Sequence, residues 1–325
     1  MLKLTKHKAL LALVLGLACS TSASAQSTFP TKPIRFMVPF TAGSATDILA
    51  RTVSESMSKS LGQPIVVENR PGAGGTIAAA QVAKCEADGH LLLVHSSAHA
   101  LNPAIYPSLS YDTLKDLTGI TALASLPNVM VVSPAKGWKT MADVIAAAKA
   151  RPGAFNYASA GTGSATHLNG EKFKLRAGVD AVHIPFKGTP EAITEIIGGR
   201  IDWFFAPLAS SIPLIREGKV LALAVSTPKR AAALPDVPTT VEAGLPDSSY
   251  IFWVGIIAPA GVPAAVQRRL NEEAHKALAS PDVRERMTRA GADPMPMSIE
   301  AFNAFIRSEM ESAAQIAKAA NLKAQ

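Results

Sequence analysis

The residues Asn156 to Leu168, reading NYASAGTGSATHL, carry the densest potential chemistry in this chain. An extended Asn156–Ser159 runs through Ala160 into Gly161-Thr162-Gly163, and Ser164 then stands where a helix N-cap belongs, ahead of a helix expected from Ala165 to Leu175. Such a strand–glycine turn–helix junction aims unpaired backbone N–H groups, the positive end of the helix dipole and the Thr162 and Ser164 hydroxyls into one small space. That space suits an anion. The plainer alternative is a tight turn with an ordinary cap.

The same chemistry recurs near the N-terminus. Ile34–Val38 is a short apolar run, Phe40-Thr41-Ala42-Gly43-Ser44 forms a glycine-containing turn, and Ala45–Leu61 shows helical spacing of Ile48, Leu49, Val53 and Met57. Asp47 in the first turn suits the helix dipole, so stabilising the helix is its expected role. A third glycine-rich loop, Asn69 to Thr76, precedes the alanine-rich helix Ile77–Ala83, and the strand Leu91–His95 ends in Ser96-Ser97. The anion contacts expected are Ser159 with the N–H groups of Gly161 to Ser164 on one side, and Thr41 to Ser44 with Ser96 or Ser97 on the other.

Other chemistries find less support. Gly161-x-Gly163 and Gly72-x-Gly74 are followed at the third position by Thr166 and Ile77, which breaks the dinucleotide fingerprint. No Walker loop and no Gly-x-Ser-x-Gly elbow is present. His95 and His99 lie four apart but follow a strand rather than sharing a helix, so neither a metal nor any other cofactor is expected. His183 alternates with Val182 and Ile184 and reads as a satisfied strand histidine. No nucleophile–base set is evident, and a non-enzymatic chain is expected.

Alternating strands and helices must position these loops, which predicts sheets with helices on both faces and ligands at the strands' carboxyl ends. Further strands are expected at Ile65–Glu68, Asn128–Val132, Ala181–Ile184, Ile201–Phe205, Leu221–Val225 and Ile251–Ile257. Further helices are expected at Met141–Ala150, Thr189–Ile197, Ser210–Glu217, Ala264–Leu278, Asp282–Ala290 and Ile299–Ala319. The fold class expected is α/β with two lobes, each a mainly parallel sheet flanked by helices and joined by two crossover strands. Residues 26–126 with 251–325 form the first, discontinuous lobe and 127–250 the second.

The chain has 325 residues, 48% hydrophobic and 18% charged, enough for two cores. Lys3, Lys6 and Lys8, the apolar run Ala9–Ala18 and Ala23-Ser24-Ala25 form an export leader, residues 1–25, expected to be cleaved after Ala25. Losing those lysines lowers the formal charge from +7 to +4, and the basic residues are scattered, so no nucleic-acid partner is expected. Of the two cysteines, Cys19 lies in the leader, where Gly16 argues against lipidation, and Cys85 is left as the mature thiol.

Blocks of residues in one order along nearly the whole mature chain resemble the Bug-type periplasmic solute receptors of tripartite tricarboxylate transporters. They include Lys32-Pro33-Ile34-Arg35, Val66 to Gly75, Ala158 to Ser164 with His167-Leu168, Phe186-Lys187-Gly188, Gly198 to Asp202, Leu234 to Thr239 and Ala258 to Pro263. The resemblance implies a two-lobed flytrap, here a monomer, that captures a small carboxylate between its glycine loops in the periplasm and delivers it to membrane subunits. It implies that Ala160, His167, Ala206 and Pro207 join the ligand contacts. Two departures stand out: Ala42-Gly43-Ser44 replaces the family's Pro-Gly-Gly, and Ala206-Pro207 stands where many members carry an acid. Without that acid an amino-acid ammonium lacks a partner, so an aromatic or extended dicarboxylate such as terephthalate is expected. Citrate-like tricarboxylates, acidic amino acids and, in another class, hydrolysis of small esters are the alternatives. Trp203, Phe204 and Phe205, just before Ala206-Pro207, and Tyr250, Phe252 and Trp253, near the second crossover, offer aromatic surface, with core packing as their plainer role.

Overall fold

Two sheets organise the chain in a computed structural model that describes residues 29–322. The expected leader and Cys19 lie outside the described residues. The first sheet has the order β11-β4-β10-β3-β1-β2, built from β1 (Ile34–Val38), β2 (Ile65–Asn69), β3 (Leu91–Ser96), β4 (Leu117–Leu126), β10 (Phe252–Pro259) and β11 (Asp293–Pro294). The second has the order β7-β6-β8-β5-β9, from β5 (Asn128–Val132), β6 (Asn156–Ser159), β7 (Val182–Pro185), β8 (Trp203–Pro207) and β9 (Leu221–Val225). The chain crosses between sheets after β4 and again before β10.

Both sheets are mixed rather than mainly parallel. β1 pairs parallel with β2 and β3, and β6 with β7 and β8, but β10 runs antiparallel to β3 and β4, as β5 does to β8 and β9. The cause is the crossover itself, because a strand arriving from the other lobe enters the sheet in the reverse sense. β4 and β10 pair from Leu126↔Phe252 to Leu117↔Pro259 and so bind the two crossovers together.

Helices cover both faces of each sheet. In the first lobe these are α1 (Ala45–Leu61), α2 (Thr76–Ala83), α3 (Ala98–Ile105), α8 (Ala264–Ala279), α9 (Pro281–Arg289) and α10 (Ile299–Ala319). In the second they are α4 (Met141–Ala150), α5 (Ala165–Ala177), α6 (Thr189–Ile197) and α7 (Leu208–Arg216). α1 shows why such a segment folds. Leu49, Val53 and Met57 bury one face completely, Asp47 suits its N-terminal end, and Gly62 closes it in the left-handed region at φ 70°.

Strand alternation divides each core in two. Trp203 and Phe205 pack with Tyr157 and Phe173 on one face of the second sheet, while Phe204 and Ala206 pack with Ile193 and Ile196 on the other. Burying each such aromatic or branched side chain contributes about 1.5–3 kcal/mol. α3 and β4 were not expected as elements. α3 contains Pro103, and in β4 Phe302 of α10 presses onto the sheet at Gly119, lying 2.5 Å from where a Cβ there would sit.

Candidate functional site

Two helix starts meet where the lobes touch. Ser44, Ala45 and Thr46 from α1 and Ser164, Ala165 and Thr166 from α5 line one void together with Phe40, Ser96, Ala160, Thr189, Pro207 and Phe252. The N–H groups of Ala45 and Thr46 and of Ala165 and Thr166 lie in first turns, where no helical acceptor exists, and no loop carbonyl takes them among the described residues. The void therefore sees the positive ends of two helices, several hydroxyls and no ionisable side chain.

Its volume is only about 10 Å³, at or below what one water needs. The lobes are closed on each other, held by hydrogen bonds between them. Thr41 Oγ1 donates to Glu191 Oε2 at 3.0 Å, Thr189 N–H donates to Ser44 Oγ at 3.2 Å, and Tyr106 O–H donates to the Thr162 carbonyl at 2.7 Å. Gly163 must be glycine for two reasons, since its φ is 77° and a Cβ there would lie 2.6 Å from the Tyr106 ring.

The sequence-predicted residues divide by position. Ser44, Ser96, Ala160, Ser164 and Pro207 line the void, whereas Gly161, Thr162 and His167, again with Ala160, line a wider neighbouring cleft of about 1130 Å³. Thr41 binds Glu191 as above, Ala42 is exposed, and Gly43 gives its N–H to Asp47 Oδ2 at 3.0 Å. Ser97 bonds Tyr250 O–H at 3.1 Å and borders a separate cavity of about 190 Å³. Gly163 N–H donates to His167 Nδ1 at 3.3 Å. Ala206 is sealed in the core, and of the aromatics only Phe252 reaches the void, because Trp203, Phe204, Phe205 and Trp253 are core and Tyr250 faces the smaller cavity.

Ser159 is fully buried beneath the glycine loop. Its Oγ accepts Gly161 N–H at 3.0 Å and sits 2.6 Å from His183 Nε2. His183 stacks on His167 with ring centroids 3.9 Å apart, and Tyr157 stacks on His183 at 5.0 Å. The Tyr157 hydroxyl donates to the Glu171 carboxylate, which also receives Lys174 Nζ at 2.9 Å. Burial holds His167 at a pKa of about 4, with Lys174 also opposing protonation and Glu171 favouring it. Burial, His167 and Lys174 together hold His183 at about 3. Both rings are neutral at pH 7.

Asp47 is also buried. Burial pushes its carboxyl up, but hydrogen bonds from Arg51, Gly43 N–H and Asn69 outweigh this and hold it below the usual range. Its charge is spent within the protein, on Gly43 N–H of the turn ahead of α1 and on Arg51 and Asn69. His95 and His99 are fully buried; burial pushes both pKa values down, His99 to about 4, and no group of three ligating residues able to hold a metal exists among the described residues. The Ser159–His183 pair was not foreseen, since only the parallel pairing of β6 and β7, which sets Tyr157 beside His183, brings the two together.

Residues 49–322 match the family described as "Tripartite tricarboxylate transporter family receptor". BugT of Bordetella pertussis is 34% identical over 310 residues, covering 95% of this chain and 94% of its own. The structure of R. palustris Rpa4515 with adipate has a TM-score of 0.88 and 32% identity, over 91% of this chain and 100% of that one. MatC (Rpa3494) from Rhodopseudomonas palustris with bound malate gives 0.85 and 32%, over 89% and 99%. The two-lobed architecture agrees with these neighbours, and the chain belongs to the tripartite tricarboxylate transporter receptor family.

Proposed function

We propose that the protein is a periplasmic, monomeric, non-enzymatic receptor that captures a small carboxylate between its lobes and hands it to the membrane subunits of a tripartite tricarboxylate transporter. The lobes divide at 126/127 and 250/251. The observation that carries this reading is the convergence of unengaged N–H groups from two opposed helix starts on one void without an ionisable side chain. A carboxylate entering it replaces the Ser44 oxygen at Thr189 N–H and takes charge-assisted hydrogen bonds worth about 1.5–3 kcal/mol each. Relatives that hold adipate and malate add support. No acid lines the void to receive an ammonium, and Phe40, Pro207 and Phe252 offer apolar wall, which favours an aromatic or extended dicarboxylate, terephthalate among them, over an acidic amino acid. The leader at residues 1–25, cleaved after Ala25, is part of this reading.

A hydrolase needs an accessible nucleophile. Ser159 and His183 have the spacing of a nucleophile–base pair, but Ser159 has no exposed surface and its oxygen already accepts the Gly161 N–H. The test is a thermal-shift panel of terephthalate, phthalate, benzoate, adipate, citrate, glutamate and aspartate. A ligand at 100 times its Kd adds about 2.7 kcal/mol of stability, a shift of several degrees. Shifts with the extended diacids are expected. Shifts with aspartate, glutamate or citrate and none with the diacids overturn the ligand class, and turnover of a bound ester overturns the receptor.

A further inference from the structure

The closed void and the wider cleft share two wall residues, Phe40 from the first lobe and Ala160 from the second. With Ala98 these form a small apolar cluster of their own across the lobes. That contact is the partition between the two spaces, so a ligand with one end among the helix starts and a body passing Phe40 and Ala160 emerges in the cleft.

The cleft presents hydrogen-bond donors whose identity the glycine loop fixes. His167 Nδ1 accepts Gly163 N–H, so the neutral ring carries its hydrogen on Nε2. Ser159 Oγ accepts Gly161 N–H, and the arrangement that satisfies serine, glycine and histidine together has the serine hydroxyl donating to His183 Nε2, which leaves the hydrogen on His183 Nδ1. Neither remaining N–H has a protein acceptor among the described residues, and neither nitrogen counts among the sealed, unpartnered atoms. Both residues line the cleft. Of the acids there, Glu171 is paired with Lys174 and takes the Tyr157 hydroxyl, while Glu191 accepts from Thr41 and keeps its charge. Lys187 also lines the cleft and is exposed, and no ion pair involves it among the described residues.

We propose that this cleft is a second anion subsite, in which His167 Nε2–H, His183 Nδ1–H and the Lys187 ammonium hold the far carboxylate of an extended dicarboxylate whose near carboxylate lies between the helix starts. The assignment rests on the carboxylate-receptor reading above. Neutral imidazole donors recognise the anion without placing a second buried charge beside Lys174, and the loop that grips one end of the ligand thereby orients the groups that grip the other.

Asparagine can replace an Nδ1 acceptor and glutamine an Nε2 acceptor, so His167→Asn and His183→Gln keep the loop's support and delete the donor on the cleft side. Calorimetry compares terephthalate with benzoate and adipate with hexanoate, for the whole mature protein. Each histidine variant is expected to weaken the diacids by about two- to ten-fold, and Lys187→Met by less, with the monoacids within about two-fold of wild type. Weakened diacids with monoacids undetectable even in wild type count for the proposal. Equal loss for both members of a pair, the mark of a damaged loop, overturns it, as do unchanged diacids. Wild-type protein that binds no carboxylate overturns the receptor reading and this one together, whereas normal wild-type binding with undiscriminating variants overturns the subsite alone.

Discussion

Ser44 and Ser164 occupy the same place ahead of two helices and do different things. Ser164 Oγ accepts His167 N–H at 3.2 Å and bonds Thr166 Oγ1 at 3.0 Å, whereas Ser44 makes no cap bond and turns its oxygen to Thr189 N–H in the other lobe. Ser164→Ala should therefore lower stability by about 1 kcal/mol, read from denaturant melts, and Ser44→Ala should lower it by clearly less. Equal losses would contradict the division of roles. The histidines make a separate prediction. An unfolded chain protonates them near pH 6.5, while the folded protein resists until about 4 at His167 and 3 at His183. Their stabilising contribution is complete above the unfolded value and falls as the pH drops through this window, by about 1.4 kcal/mol per unit for each ring. Buried His95 and His99 add to the same slope. The melting temperature should fall from pH 7 to pH 5, less steeply in the His167→Asn, His183→Gln double variant; an unchanged slope counts against it. At this scale the serines and glycines of both loops were legible, because turn and cap chemistry is local. The role of His183 was not, because its partner lies 24 positions away on a neighbouring strand.

Between elements, the tightest constraint is the approach of the α6 start to the loop ahead of α1. Gly188 has extended backbone that any residue can adopt, so space alone demands glycine: a Cβ there would lie 2.8 Å from Ser44 Oγ and nearer still to Thr41 Oγ1. Overpacking costs about 1–3 kcal/mol and only the closed arrangement bears it. Gly188→Ala should thus weaken ligand binding by about ten-fold and raise the radius of gyration of the ligand-free protein in X-ray scattering above that of wild type. A radius of gyration and an affinity equal to those of wild type would rule this out. Most helices and strands could be read from periodicity, including all five strands of the second sheet. β4 escaped because Gly119, Ala122, Ala124 and Ser125 interrupt its Leu, Ile and Thr residues and dilute the strand signal. Gly119 answers to Phe302 of α10, which is remote from it in the chain and meets it only once sheet and helix have packed.

At the scale of the whole molecule, two lobes and a cleft were legible because strand–helix alternation restarts after the first crossover and the glycine loops recur. What the sequence could not show is how far apart the lobes stand, since that depends on a few hydrogen bonds between them, each worth about 0.5–1.5 kcal/mol. The receptor is closed with a void of about 10 Å³ at its centre, which has a kinetic consequence. A trap already shut must open before it can be filled, so capture cannot accelerate without limit as solute becomes abundant. In stopped-flow mixing, the observed rate should level off at the opening rate, with the same ceiling for every ligand. Ser44→Ala and Tyr106→Phe, which each remove one bond across the lobes, should raise that ceiling by about two- to ten-fold. A rate that stays proportional to ligand concentration would mean that the shut, empty form is scarce in solution. If the ceiling exists, capture at high solute concentration is paced by the receptor's own opening and not by the supply of solute.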